Sequence, residues 1–205
     1  MPPWRITNTP ASLPSPDKLA SSFSLRAPPS TDLWDSPPDT CVFTAPILYQ
    51  ILTLVAFGRA RVTITADLDE PFAQGGLALV IPQSDGSRKW VKTGMEFMEG
   101  RQILSTVGKD RWPDCSAGGV ITQEGAYKTV TLEIARRGQN LEVIQLRGGD
   151  SGALEREILR ELVWVFAAQG VEECWVGVYV ANPSSEAEAF DVRFDGLVIE
   201  HLGKE

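Results

Sequence analysis

From residue 41 onward, apolar and polar positions alternate in short runs broken by Gly, Asp, Asn and Pro. Period-two alternation sends successive side chains to opposite faces of a strand. Val62 and Ile64 share one face of Arg61–Thr65, as do Val130, Leu132 and Ile134, and again Val176, Val178 and Val180. The pattern predicts strands at 41–43, 47–57, 60–68, 74–82, 89–98, 102–107, 128–136, 141–146, 157–167, 174–181 and 190–200. Residues 152–169 also show helical spacing through Leu154, Ile158, Leu162 and Val165. Their β-branched and aromatic content favours a strand over 160–167 instead. Many short strands with almost no helix indicate an all-β, two-sheet antiparallel sandwich or jelly roll. Curved sheets of this kind have one concave face.

Residues 1–40 have a different texture and hold nine of the fourteen prolines. Proline removes a ladder donor and fixes φ, so this stretch is expected to be extended coil draped over the body. Phe23, Leu25, Leu33 and Trp34 are its candidate anchors. The division is an arm over 1–22 and a sandwich domain over 23–205.

Composition adds exclusions. The 205 residues are 43% hydrophobic with a formal net charge of −8, an ordinary globular balance of acidic sign. An acidic surface repels phosphate backbones and anionic lipid, so neither nucleic acid nor membrane is an expected partner. The first residues show no apolar core of a secretory signal, and Ala45–Phe57 is too short and polar to span a bilayer. Cys41, Cys115 and Cys174 are too few and too scattered for a disulfide framework or a zinc site. Buried free thiols in a reducing cytoplasm are the expectation, and no motif calls for a cofactor.

The candidate chemistry lies on the strand side turned away from the core. In 90–98, Val91, Thr93, Met95 and Phe97 point one way, and Trp90, Lys92, Gly94, Glu96 and Met98 the other. Gln74, Gly76 and Ala78 oppose Leu77 and Leu79; Trp175, Gly177, Tyr179 and Ala181 oppose Val176, Val178 and Val180. A solvated face would carry Lys, Glu, Thr and Arg throughout. Here small residues leave room for a ligand or another backbone, and rings offer flat stacking surfaces. Lys92, Glu96 and Gln74 would orient polar groups or exchange protons. The competing expectation is that the proline-rich segment or a loop fills this face.

Other motifs carry less. Gly148–Gly152 resembles a serine-protease nucleophile loop, but the chain's one histidine, His201, sits near its end and no triad is supported. A turn is the simpler reading. Asp67–Glu70 is an acidic loop without EF-hand spacing, read as a solvated turn rather than a calcium site. Lys92 and Glu96 share one strand side and suit either a structural ion pair or an acid–base couple. Trp112 either caps the groove or plugs a sandwich end.

The segments TDLWDSPP, FTAPILYQ, QGGLALVIP, WVKTGMEF, STVGKDRWPDCS and WVGVYVANP together resemble the concanavalin A-like family that contains the fungal "regulation of enolase" proteins. The resemblance runs from about Phe23 to Leu202. It implies a lectin-like two-sheet sandwich and places Gln74, Lys92, Glu96, Trp112 and Arg160 at motif positions. Where members often carry a second Trp, this chain has Cys115, which removes a platform of two adjacent indoles. The retaining β-glucanase pattern of carboxylates on one strand is absent, which argues against glucan hydrolysis.

Two functions follow as expectations. One is a cytoplasmic, lectin-like module that binds a small molecule or a partner such as a metabolic enzyme, with a homodimer as one possible assembly. The other is a cofactor-independent isomerase, cyclase or lyase. In it, Glu96 and Lys92 act as the acid–base pair, Lys92 and Arg160 hold an anion, and Trp90 and Tyr179 shape the pocket; Trp175 is a further ligand-binding candidate.

Overall fold

The chain was analysed as a computed structural model that describes residues 2–121, 128–148, 154–167 and 173–202. Two antiparallel sheets carry almost all of the described chain. The first has seven strands in the order β1 (Trp4–Thr7), β5 (Ile47–Thr53), β14 (Glu173–Ala181), β7 (Gln74–Pro82), β8 (Arg88–Met98), β9 (Arg101–Lys109) and β10 (Pro113–Val120). The second has six, in the order β13 (Leu154–Leu162), β12 (Asn140–Gly148), β11 (Lys128–Arg137), β6 (Phe57–Ala66), β15 (Phe190–His201) and β2 (Ser22–Ala27). A separate hairpin, β3 (Leu33–Ser36) and β4 (Thr40–Phe43), belongs to neither. The fold is the two-sheet sandwich that the alternation predicts.

The main core lies between the sheets. It takes Val62 and Ile64 from β6, Leu77 and Leu79 from β7, Val176, Val178 and Val180 from β14, and Val130, Leu132 and Ile134 from β11. These are the inward sets read from period two. The β8–β9 turn is tight because Glu99 and Gly100 both adopt positive φ, as a two-residue hairpin requires.

Several local expectations are corrected. Residues 1–40 are not only coil: β1 pairs with β5, a short helix α1 (Pro16–Ala20) buries Leu19, and β2 pairs with β15. Pro2 and Pro3 precede β1 at the sheet edge and Pro16 opens α1, positions where a missing N–H costs little. The strand near 157–167 runs instead over Leu154–Leu162, after which the chain bends and turns Val165 and Phe166 into the core. Phe166 stacks on Phe57 at 6.2 Å. β10 escaped the pattern because Pro113–Val120 is small, mostly exposed and without alternation. Of the three thiols only Cys174 is buried, where desolvation pushes its pKa to about 12; Cys41 and Cys115 are exposed. The 149–152 part of the glycine-rich motif and the 168–169 end of the helix-like stretch lie outside the described residues.

Gly177 faces a backbone rather than a void. A Cβ there would come within 1.9 Å of the Leu48 carbonyl oxygen on β5. The neighbouring strand is rigid, so Gly177→Ala is expected to cost ~3 kcal/mol. Gly118→Ala, in open space, should change stability by under ~0.5 kcal/mol. Urea unfolding of the two variants checks the contrast.

Candidate functional site

The outer face of the seven-stranded sheet carries a second apolar cluster. Ile47, Tyr49, Ala78, Val80, Trp90, Val107, Tyr179 and Ala181 come from the sheet, and Leu33 comes from the hairpin. Trp34 and Phe43, also on the hairpin, pack against it with Trp175. A loop thus covers part of this face, as the competing expectation held, but it does not cover all of it. A cavity of about 410 Å³ remains, walled by Trp34, Phe72, Met98, Val107 and Pro183 and edged by Asp32, Gln74, Lys92, Glu96 and Cys115.

Strand register explains which polar groups meet. Gln74 on β7 lies opposite Glu96 on β8, and Lys92 lies opposite Ala78 and Val107. Lys92 and Glu96 are four positions apart, about 13 Å of extended backbone. The position between them is Gly94, paired with Gly76. With no side chain in that row, Lys92 extends along the sheet toward Glu96, and its Nζ donates to Gln74 Oε1 at 2.8 Å. The Tyr179 hydroxyl donates to the same oxygen at 3.1 Å. Gln74 Nε2 donates to the Phe72 carbonyl at 3.0 Å, which fixes the amide so that its oxygen faces the lysine.

Lys92 does not form the simple ion pair with Glu96 that the sequence suggested. Its nearest carboxylate is Asp32, with Oδ1 3.7 Å from Nζ. Asp32 sits at the hairpin's base, where its carbonyl accepts from the Thr44 and Ala45 backbones. The rings of Trp34, Trp90 and Tyr179 surround the ammonium with centroids at 5.6, 5.8 and 6.0 Å. Such faces attract a cation while excluding water.

Burial dominates the titration of this cluster. Desolvation lowers the Lys92 pKa, against the opposing pull of Asp32 and Glu96. It raises the Glu96 pKa, opposed by a hydrogen bond from Ser105 and by the charge of Lys92. It also holds the Tyr179 hydroxyl well above its ordinary value, reinforced by Glu96 and Asp32. A carboxyl that holds its proton more tightly, an ammonium that holds its proton less tightly and a fixed amide therefore converge on one apolar-walled space.

The site residues named from sequence divide. Gln74, Lys92 and Glu96 line the cavity, and Tyr179 supports its floor. Trp90 is fully buried beside Lys92 and shapes the wall from behind. Trp175 is displaced from the site: it stacks on Tyr49 at 4.4 Å and meets Phe43 edge-on. Trp112 lies in the β9–β10 turn, partly exposed, and does not line the cavity. Arg160 is on the other sheet, where its guanidinium binds Asp114 and Ser116 on β10 and the Thr106 carbonyl, tying two sheet edges together. It cannot hold an anion beside Lys92. Asp32, Phe72 and Pro183 were missed because loops bring them in without periodic signal. Cys115 was noted only as a departure, although its pairing with Val107 puts it on the cavity side.

Comparison with known proteins gives the family. A match to "Protein of unknown function (DUF1349)" spans residues 6–202. The chain belongs to the DUF1349 family. It is similar to "Uncharacterized protein AN7484" of Emericella nidulans, 41% identical over 188 residues, 92% of this chain and 90% of that protein. A functionally unknown protein from Saccharomyces cerevisiae has a similar structure, with a TM-score of 0.73, 19% identity, and coverage of 98% of this chain and 97% of that one. An alginate lyase from Klebsiella pneumoniae superposes with a TM-score of 0.54 at 11% identity, covering 88% of this chain and 81% of that one. At these low identities the two structures testify to the shared sandwich alone. Among the described residues of this DUF1349 chain, no group of three or more His, Cys, Asp or Glu is placed to hold a metal. No helix among them is long and apolar enough to cross a membrane.

The raised Glu96 pKa has a measurable consequence. A carboxyl whose folded pKa lies above its unfolded value favours the native state below about 4.5, its ordinary value, and loses that contribution as pH rises toward the folded pKa. Glu96→Gln should therefore flatten the fall in stability that the wild type shows above that pH. Urea unfolding at a series of pH values upward from about 4.5, the ordinary carboxyl value, reads this directly; parallel profiles would contradict it.

Proposed function

We propose that this DUF1349 chain is a binding module for a compact small molecule with an apolar body and a hydroxyl or carbonyl group. The ligand occupies the cavity beside the β3–β4 hairpin, with Trp34 as one wall. Lys92 donates to its polar end and Glu96 offers a carboxyl proton, while Trp34, Phe72 and Met98 grip its apolar part. The observation that carries the reading is the convergence of buried Lys92, Gln74 and Glu96 on a cavity with mostly apolar walls.

A compact ligand fits better than a polymer. Here the hairpin packs over β5, β14, β7 and β8, so the outer face is not an open groove. A small molecule also fits better than a protein such as a metabolic enzyme. The polar anchors are recessed, and a docked protein would reach only the rim at exposed Phe72. A cytoplasmic location agrees with three free thiols, two of them exposed.

Acid–base catalysis is the second reading, favoured by one observation. Burial moves the pKa values of Glu96 and Lys92 toward each other inside one cavity, an arrangement common where protons are exchanged. The reaction would be an isomerisation, cyclisation or elimination.

Thermal-shift screening of a metabolite panel, followed by titration of tryptophan fluorescence, tests both readings. A bound metabolite should lose about 10- to 100-fold in affinity with Lys92→Met, the value of one charged hydrogen bond. Undiminished binding in that variant would exclude the site. If the metabolite is also converted, Glu96→Gln should lower kcat by about 100-fold or more with binding retained.

A further inference from the structure

We propose that Lys92 is an imine-forming residue and that the cavity accepts an aldehyde or ketone with a flat apolar body. This rests on the small-molecule reading above and deepens it. Among the described residues that line the cavity, Lys92 supplies the one amine. Other lysines are committed elsewhere: Lys109 is in direct contact with Asp35, and Lys89 pairs with Asp110 at 2.6 Å.

The environment of Lys92 differs from both. Its close partner is the neutral amide oxygen of Gln74, 2.8 Å away. Asp32 stands at 3.7 Å, too far for a full hydrogen bond yet near enough to balance a cationic nitrogen. Three aromatic rings enclose the nitrogen and keep bulk water from it. An amine desolvated in this way becomes a nucleophile, and burial of Lys92 works in that direction. Glu96, on the same strand side, is the matching proton donor.

The chemistry balances without a further reagent. The Nζ lone pair bonds to the carbonyl carbon as the C=O π pair moves to oxygen, which takes the Glu96 proton. The added nitrogen returns a proton to the Glu96 carboxylate, giving a neutral carbinolamine. Its nitrogen pair then expels the hydroxyl group as water, which takes the proton from Glu96. The product is an iminium ion facing Asp32. Hydrolysis reverses each step.

The test uses the full chain with benzaldehyde and cyanoborohydride at neutral pH, with labelled lysines mapped by peptide mass spectrometry. Lys92 should react at least ~10-fold faster than exposed Lys18, and Glu96→Gln should slow it by ~10-fold or more. Lys92→Met should lose that adduct while other lysines label as before. Benzyl alcohol, which has the same ring but no carbonyl to react, is titrated in parallel by tryptophan fluorescence and should protect Lys92 selectively. Labelling of Lys92 no faster than Lys18 would overturn the proposal. If benzyl alcohol still binds in that case, the small-molecule reading survives without the imine; if it does not bind either, both readings fail.

Discussion

The outer face of the seven-stranded sheet owes its character to one buried ion pair, Lys109 with Asp35. Lys109 ends β9 and Asp35 lies in β3, and both are nearly inaccessible to solvent. Burying two charges adds little net stability, because desolvation offsets their attraction. Removing one partner is different and costs about 3–5 kcal/mol, because the other charge is left uncompensated. The pair therefore acts mainly on position. It fixes where the hairpin lies, and Leu33, Trp34 and Phe43 then seal over Trp90, Val80 and Tyr179. An open sheet face becomes a bounded cavity, and Asp32 is carried to within reach of Lys92.

Beneath the hairpin, missing side chains matter as much as those present. Gly76 and Gly94 are cross-strand partners, and neither has room for a Cβ against the other's strand. That close approach leaves the row between Lys92 and Glu96 bare. Lys92 lies along it, meets Gln74 and is shut in by rings. The pKa displacements follow from this burial rather than from a direct Lys92–Glu96 bond. The same features that make the site costly to fold make its groups chemically useful, as is common where ionisable groups are held in apolar surroundings.

Much of this was legible in the residues. Period-two alternation located β6, β7, β8 and β14 and sorted Gln74, Lys92 and Glu96 onto one face, because strand geometry admits little else. The short or irregular pieces were not legible. β10 has no alternation, α1 has only five residues, and β1 is masked by flanking prolines. Arg160 was assigned to the site by resemblance but belongs to the opposite sheet, and no periodicity reports which sheet a strand joins. Asp32, Phe72 and Pro183 reach the cavity from loops, so their meeting depends on tertiary packing alone. Trp175 does face outward as expected, yet its row on the sheet lies under the hairpin instead of in the cavity.

Amide hydrogen exchange on Asp35→Asn against the wild type tests the central claim most directly. If the Lys109–Asp35 pair positions the hairpin, amides of residues 33–43 should lose at least ~10-fold in protection, equivalent to about 1.4 kcal/mol of local stability. Amides of β6, β11 and β15 should keep theirs. Unchanged protection in the hairpin, or a loss spread evenly over both sheets, would contradict the account.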